Sequence, residues 1–109
     1  HSHSKGITPK LLESKIVQDA DRLECTGAIS LMRTFSSSGQ MGRVFYDIND
    51  PFFEKREAGS RISAIDFCHT RLLKTKFNTK TAENLARSRL EFIRTFLEQL
   101  KSELDACME

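Results

Sequence analysis

Apolar residues along this chain recur at intervals of three and four and show no alternating run, so the pattern points to helices alone. Leu12, Ile16, Ala20 and Leu23 place one apolar face on a first helix. It opens at Thr8-Pro9, where Thr can accept a backbone N–H and Pro loses nothing by lacking its own. Gly27 breaks or bends it; Ala28, Ile29, Met32 and Phe35 resume the helical period, and Ser36-Ser37-Ser38-Gly39 is expected to end it as a turn. From Gly39 to about Gly59 the period fails. Gly42, Asp47, Asn49 and Asp50-Pro51 punctuate this stretch, and Asp50 is pushed away from helical backbone by the proline that follows. Val44, Phe45, Tyr46, Phe52 and Phe53 are too bulky for an idle linker and should anchor an ordered loop on the helices. Ser60 is expected to cap the next helix, with Ile62, Ile65, Cys68 or His69, and Leu72 along one side, running to about Lys76. Asn78 or Thr79 then caps the last and longest helix. Its stripe is Ala82, Leu85, Ala86, Ile93, Phe96, Leu97, Leu100 and Leu104, and Glu83 precedes Arg87 by four residues on the charged side. The expected fold is all-α: one helical domain over residues 1–109, a bundle of three to four helices with one long ordered loop.

Bulk properties narrow the function without naming it. With 39% hydrophobic and 29% charged residues the 109-residue chain reads as a soluble globular domain, too short for two ordinary ones. Seventeen basic and 15 acidic residues give a net charge of +2, too near balance to argue for nucleic acid or a membrane surface as partner. No stretch approaches the roughly 20 apolar residues of a membrane span. Cys25, Cys68 and Cys107 are odd in number and form no CxxC pair, which fits free thiols in a reducing cytoplasm. Cys25, with no His neighbour or basic cluster, reads as a small core residue.

The segment with chemical content is Glu13-Ser14-Lys15-Ile16-Val17-Gln18-Asp19-Ala20-Asp21-Arg22-Leu23-Glu24. Asp is a poor helix former because its side chain competes for backbone hydrogen bonds, yet two stand on the first helix. Asp19 and Asp21 are about 200° apart around that helix, so they cannot both face one ligand. One can hold a metal or substrate while the other anchors the backbone or an arginine; both facing water is the plainer alternative. Arg22 has a planar guanidinium suited either to a nearby carboxylate or to a phosphate.

Lys15 to Glu24, followed by Gly27-Ala28-Ile29, resembles the signature of one bacterial branch of the HD-domain phosphohydrolase superfamily. His1-Ser2-His3-Ser4 and Gly6-Ile7-Thr8-Pro9 upstream resemble the same family, as do Arg33-Thr34-Phe35, Asp50-Pro51-Phe52, Leu72-Leu73-Lys74 and Asn78-Thr79 downstream. The resemblance implies the C-terminal part of an HD-domain fold and hydrolysis of a phosphate ester or nucleotide phosphoanhydride. It also implies a divalent ion (Mn, Mg, Fe, Ni or Zn) held by a His, a His-Asp pair and a later Asp. That later Asp maps onto Asp21 through its Ala-Asp-Arg-Leu context, with Asp19 as the alternative and Asp19 and Arg22 in support. The sequence has no His-Asp dipeptide, so three of the four ligands are missing. The chain is therefore expected to be the later half of a longer protein, to bind no metal and to be inactive by itself.

Two histidines near the start have two readings. His1 and His3 are either a tag remnant or native, and a native His1 is either a phosphate-contacting residue or a plain surface one. His69 reads as a helix-flank histidine, and Lys74 and Lys76 as cations favoured by a helix C-terminus. The expected partner is a small phosphorylated molecule, possibly a nucleotide. The rival reading is a non-catalytic helical module that self-associates as a homodimer through an exposed apolar helix face.

Overall fold

Residues 9–107 are described by the computed structural model, and among them every regular element is helical. Helix α1 spans Pro9–Leu23 and unwinds through a turn in which Glu24, Cys25 and Thr26 N–H groups donate to the carbonyls of Asp21, Arg22 and Leu23. Gly27 follows at φ 89°, a backbone that side chains rarely adopt, and a Cβ there would meet the Arg89 side chain at 3.3 Å. The expected break at Gly27 thus has both a conformational and a packing cause. The expected Thr8 cap lies outside the described residues.

Helix α2, Ala28–Met41, runs straight through the serines that were expected to end it. Ser38 is fully buried, and its hydroxyl donates to the Thr34 carbonyl one turn back at 2.7 Å, so its polar group is satisfied inside the helix. The helix stops instead at Gly42, whose left-handed backbone (φ 78°) lets its N–H cap Ser38. The loop after Gly42 is ordered by backbone bonds from Ala64 to Val44 and from Ile65 to Phe45. Tyr46, Phe52 and Phe53 pack on the core as expected, whereas Val44 is largely exposed and Phe45 rests edge-on against Phe35 at 5.4 Å.

Helix α3 is short, Ala64–Phe67, and is capped by Ser63 rather than Ser60: the Ser63 hydroxyl accepts from Asp66 N–H. Arg43 instead takes up the Ser60 carbonyl, and Ile62 is 41% exposed, its side chain beside Gly59. α3 continues into a π-helical turn, Cys68–Leu72, closed by Leu73 N–H donating to Cys68 O at 2.9 Å. The segment does not reach Lys76: it closes with three-residue bonds in which the Lys74 and Thr75 N–H groups donate to the Arg71 and Leu72 carbonyls. Helix α4, Lys80–Cys107, is the longest, at about 42 Å by its rise per residue. Thr79 caps it, its hydroxyl accepting from Ala82 N–H.

Leu31, Ile65, Cys68, Leu72, Ile93 and Leu97 form the core where α2, α3 with its π turn, and α4 meet. Burial pushes the Cys68 thiol up to about 11, with only partial opposition from the Arg43 charge, so it stays protonated at neutral pH. Cys25 is exposed and belongs to no core, since it falls in the solvent-facing turn after α1. Leu85, expected in the core stripe, is also half-exposed, on the edge of a groove between α1 and α4. Lys80 pairs with Glu83, and Arg87 donates to Asn84, in place of the Glu83–Arg87 pair. No described helix is long and apolar enough to cross a membrane.

Candidate functional site

The two aspartates of α1 diverge as their spacing requires. Asp19 is 3% exposed, and its carboxylate accepts three hydrogen bonds: from Asn78 N–H (2.7 Å), Thr79 N–H (2.8 Å) and the Thr79 hydroxyl (2.7 Å). Those donors sit at the start of α4, so Asp19 ties the middle of α1 to the N-terminal end of α4 across 60 residues of sequence. Burial alone would push its carboxyl up. The donors from Asn78 and Thr79, with the Arg22 charge, outweigh that and hold it below the usual carboxylate range. The neighbouring contacts tighten the same joint: Asn78 Nδ2 donates to Gln18 Oε1 and Arg22 Nη1 to the Lys76 carbonyl.

Asp21 faces the other way. It is exposed, and its carboxylate has no hydrogen bond or ion pair among the described residues. The anchoring role falls to Asp19, and the free carboxylate on the same rigid helix is Asp21. Arg22 commits one donor to Lys76 and lies between the two in burial. His1 and His3 lie outside the described residues. A bound metal needs several converging donors, and among the described residues no group of three or more His, Cys, Asp or Glu side chains comes together. The described residues do not by themselves fit a metal site.

A second charged cluster was not foreseen. Arg56 donates to both oxygens of Asp66 (2.7 and 3.0 Å), to Asp47 Oδ2 (3.0 Å) and to the carbonyls of Asp50 and Glu57. Asp66, fully buried, also accepts from the Ser63 hydroxyl at 2.6 Å and from Gly59 N–H at 3.0 Å. Burial pushes the Asp66 carboxyl up, but Arg56, Ser63 and Gly59 more than offset it and hold it below its ordinary value. The Asp66 hydrogen bond in turn pushes Arg56 further up. The Ser63-x-x-Asp66 spacing is a helix-cap signal visible in the sequence; nothing local marks Arg56 as its partner. This cluster welds the long loop to α3 and leaves none of the Asp66 oxygens for a ligand.

No family model matches the chain. The uncharacterized protein YpgQ of Bacillus subtilis (strain 168) is 35% identical to it over 98 residues, which is 88% of this chain and 42% of YpgQ. Among solved structures, a HD-superfamily hydrolase from Bacillus thuringiensis is similar with a TM-score of 0.73 and 35% identity, over 89% of this chain and 49% of that protein. Bacillus subtilis YpgQ in complex with ADP is similar with a TM-score of 0.69 and 33% identity, over 84% of this chain and 44% of that one. The chain spans less than half the length of each of these relatives.

Proposed function

We propose that this chain, which shares the helical fold of an HD-superfamily hydrolase over 89% of its own length, is the Asp21-bearing part of a metal-dependent phosphohydrolase. The observation that carries the reading is the contrast within α1. Asp19 is consumed in joining α1 to α4, while Asp21, one residue beyond Ala20 in the family-like run, is exposed and has no partner among the described residues. A divalent ion supplied to such a site lowers the pKa of bound water and offsets charge building on phosphorus. This chain's own residues do less: Asp21 offers carboxylate oxygens, Asp19 fixes the helix that presents them, and Arg22 keeps donors for a phosphate oxygen. One carboxylate holds an ion poorly, so the chain by itself is proposed to be inactive. The substrate class is a phosphate ester or a nucleotide phosphoanhydride; the ADP complex of YpgQ supports the nucleotide.

The test joins the first half of YpgQ ahead of His1 and assays nucleotides and phosphomonoesters with added manganese. Turnover is expected in the joined protein and not in the 109-residue chain. Asp21→Ala is expected to cost more than the roughly 10–100-fold lost when an outer partner of a metal ligand is removed. Turnover that survives Asp21→Ala unchanged would overturn the reading, as would robust turnover by the 109-residue chain.

One further observation favours self-association as a second reading. Leu12, Ile16 and Leu85 are half-exposed and line a largely apolar groove of about 420 Å³ between α1 and α4. Light scattering is expected to show a dimer whose population rises with concentration and falls on Ile16→Glu. A constant monomer mass into the millimolar range sets the dimer aside.

A further inference from the structure

Charge is unevenly spread along the chain. Between Arg71 and Arg94 stand seven Lys or Arg residues and two Glu, a net +5 within a chain whose total is +2, so the remainder is net −3. The fold doubles this segment back at the start of α4 and shapes a pocket of about 450 Å³ between residues 75–77 and the first half of that helix. Glu83, Arg87, Leu90 and Arg94 follow at spacings of four, three and four, so they share one stripe of α4. Phe77, Ala86 and Leu90 give the pocket an apolar floor. Its facing wall is held at both ends: the Thr75 hydroxyl donates to the Leu72 carbonyl at 2.8 Å, and Asn78 N–H donates to Asp19 at 2.7 Å.

Lys76 on the wall and Arg87 and Arg94 on the helix bring three cations to the pocket against one carboxylate, Glu83. Glu83 lies 3.7 Å from Lys80, and Arg94 lies 3.3 Å from Glu91, but both pairs are solvent-exposed and so weak and exchangeable. Arg87 gives one N–H to Asn84 Oδ1 at 3.0 Å, a contact that steadies its guanidinium. A concave site with an excess of one sign of charge focuses the potential and draws in the opposite ion. Guanidinium groups take phosphate oxygens in pairs, and the Lys76 ammonium adds a compact charge. Arg87 and Arg94 are about 10 Å apart along the α4 axis, a span that favours a ligand longer than one phosphate. We infer that this pocket binds a diphosphate group through Lys76, Arg87 and Arg94. Free pyrophosphate and the diphosphate of a nucleotide share that chemistry. No residue of α1 lines the pocket, so the site is separate from Asp21 and stands or falls without the hydrolase reading.

The experiment titrates inorganic pyrophosphate into the ¹⁵N-labelled 109-residue chain and follows the arginine Nε–Hε resonances. EDTA is present throughout, so no divalent ion contributes and the outcome is distinct from that of the hydrolase test. Saturable shifts are expected at Arg87 and Arg94, with affinity falling at least about tenfold in Arg87→Glu. Arg61→Glu makes the same change in net charge at an exposed residue outside the pocket, and is expected to cost less than about threefold. ADP run in parallel separates the two sources: tighter binding than pyrophosphate supports a nucleotide resting on Phe77 and Leu90, and equal binding supports the bare diphosphate. Adenosine, which has no phosphate, is expected to leave both arginines unmoved. The site is overturned by the absence of saturable shifts, by an equal loss in Arg61→Glu, or by adenosine shifts that match those of ADP. Tighter binding of a short DNA duplex than of pyrophosphate overturns it too, and assigns the patch to nucleic acid. Should Arg87→Glu lose its helix by circular dichroism, Arg87→Gln takes its place, with a fall of at least about threefold expected and an unchanged affinity decisive against the site.

Discussion

Arg56→Ala is expected to destabilise the fold by about 3 kcal/mol, the lower part of the range for breaking a buried ion pair. The substitution leaves the Asp66 carboxylate, fully buried, without the guanidinium that holds both its oxygens. Arg56 keeps 23% of its side chain exposed, so water partly repairs the loss, and this places the figure below the upper limit. For a domain this size that corresponds to a fall in Tm of roughly 10–20 °C. Arg56→Lys is expected to fall between, since an ammonium cannot reproduce five donors in one plane. Acid acts on the same pair. The folded pKa of Asp66 is depressed, so its contribution is present above the ordinary carboxylate value of 3.8 and is lost as pH falls through the folded value. The gap between wild type and Arg56→Ala should therefore narrow in strong acid. Thermal melts at neutral pH and at low pH check both statements; a neutral-pH Tm within two or three degrees of wild type would sink the first.

The second large effect is expected at Asp19. Asp19→Ala removes the acceptor of three hydrogen bonds and with it the tie between α1 and the start of α4. The remaining contacts of α1 along the groove come from side chains that are half-exposed, Leu12 and Ile16 among them. Amide exchange in α1 is expected to speed by at least about tenfold, with little change around Ile93 and Leu97, because local opening then no longer waits for the core. Asp19→Asn should be milder, since its one carbonyl oxygen can still accept. The sign with pH follows from the depressed folded pKa: the tie is intact above the ordinary value of 3.8, and it fails as pH drops through the folded value. Uniform loss of protection across all helices would show instead that α1 and the core unfold as one unit.

The element order was legible because it rests on local physics. The three- and four-residue spacing, Gly27, and the Asn78-Thr79 cap are read within a few residues of where they act, and the structure has helices and a break in those places. The errors also have local causes that a linear reading cannot see. Ser36 to Ser38 resemble a turn, but a buried serine that bonds back to Thr34 costs the helix little once α2 is packed. Cys25 has the composition of a core residue and the position of a turn residue, and position decides its exposure.

By itself, then, the sequence determined an all-helical chain with an ordered loop, and two α1 carboxylates forced apart by the helix period. Which of them is spent on structure was decided only in three dimensions, when Asn78 and Thr79 arrived from far along the chain to take Asp19 and leave Asp21 exposed. The same holds for Arg56 with Asp66 and for Phe53 against His69. Helix period acts between neighbours, whereas desolvation and hydrogen bonding act on whatever the fold brings within about 3 Å, and that list is written in no short stretch of sequence.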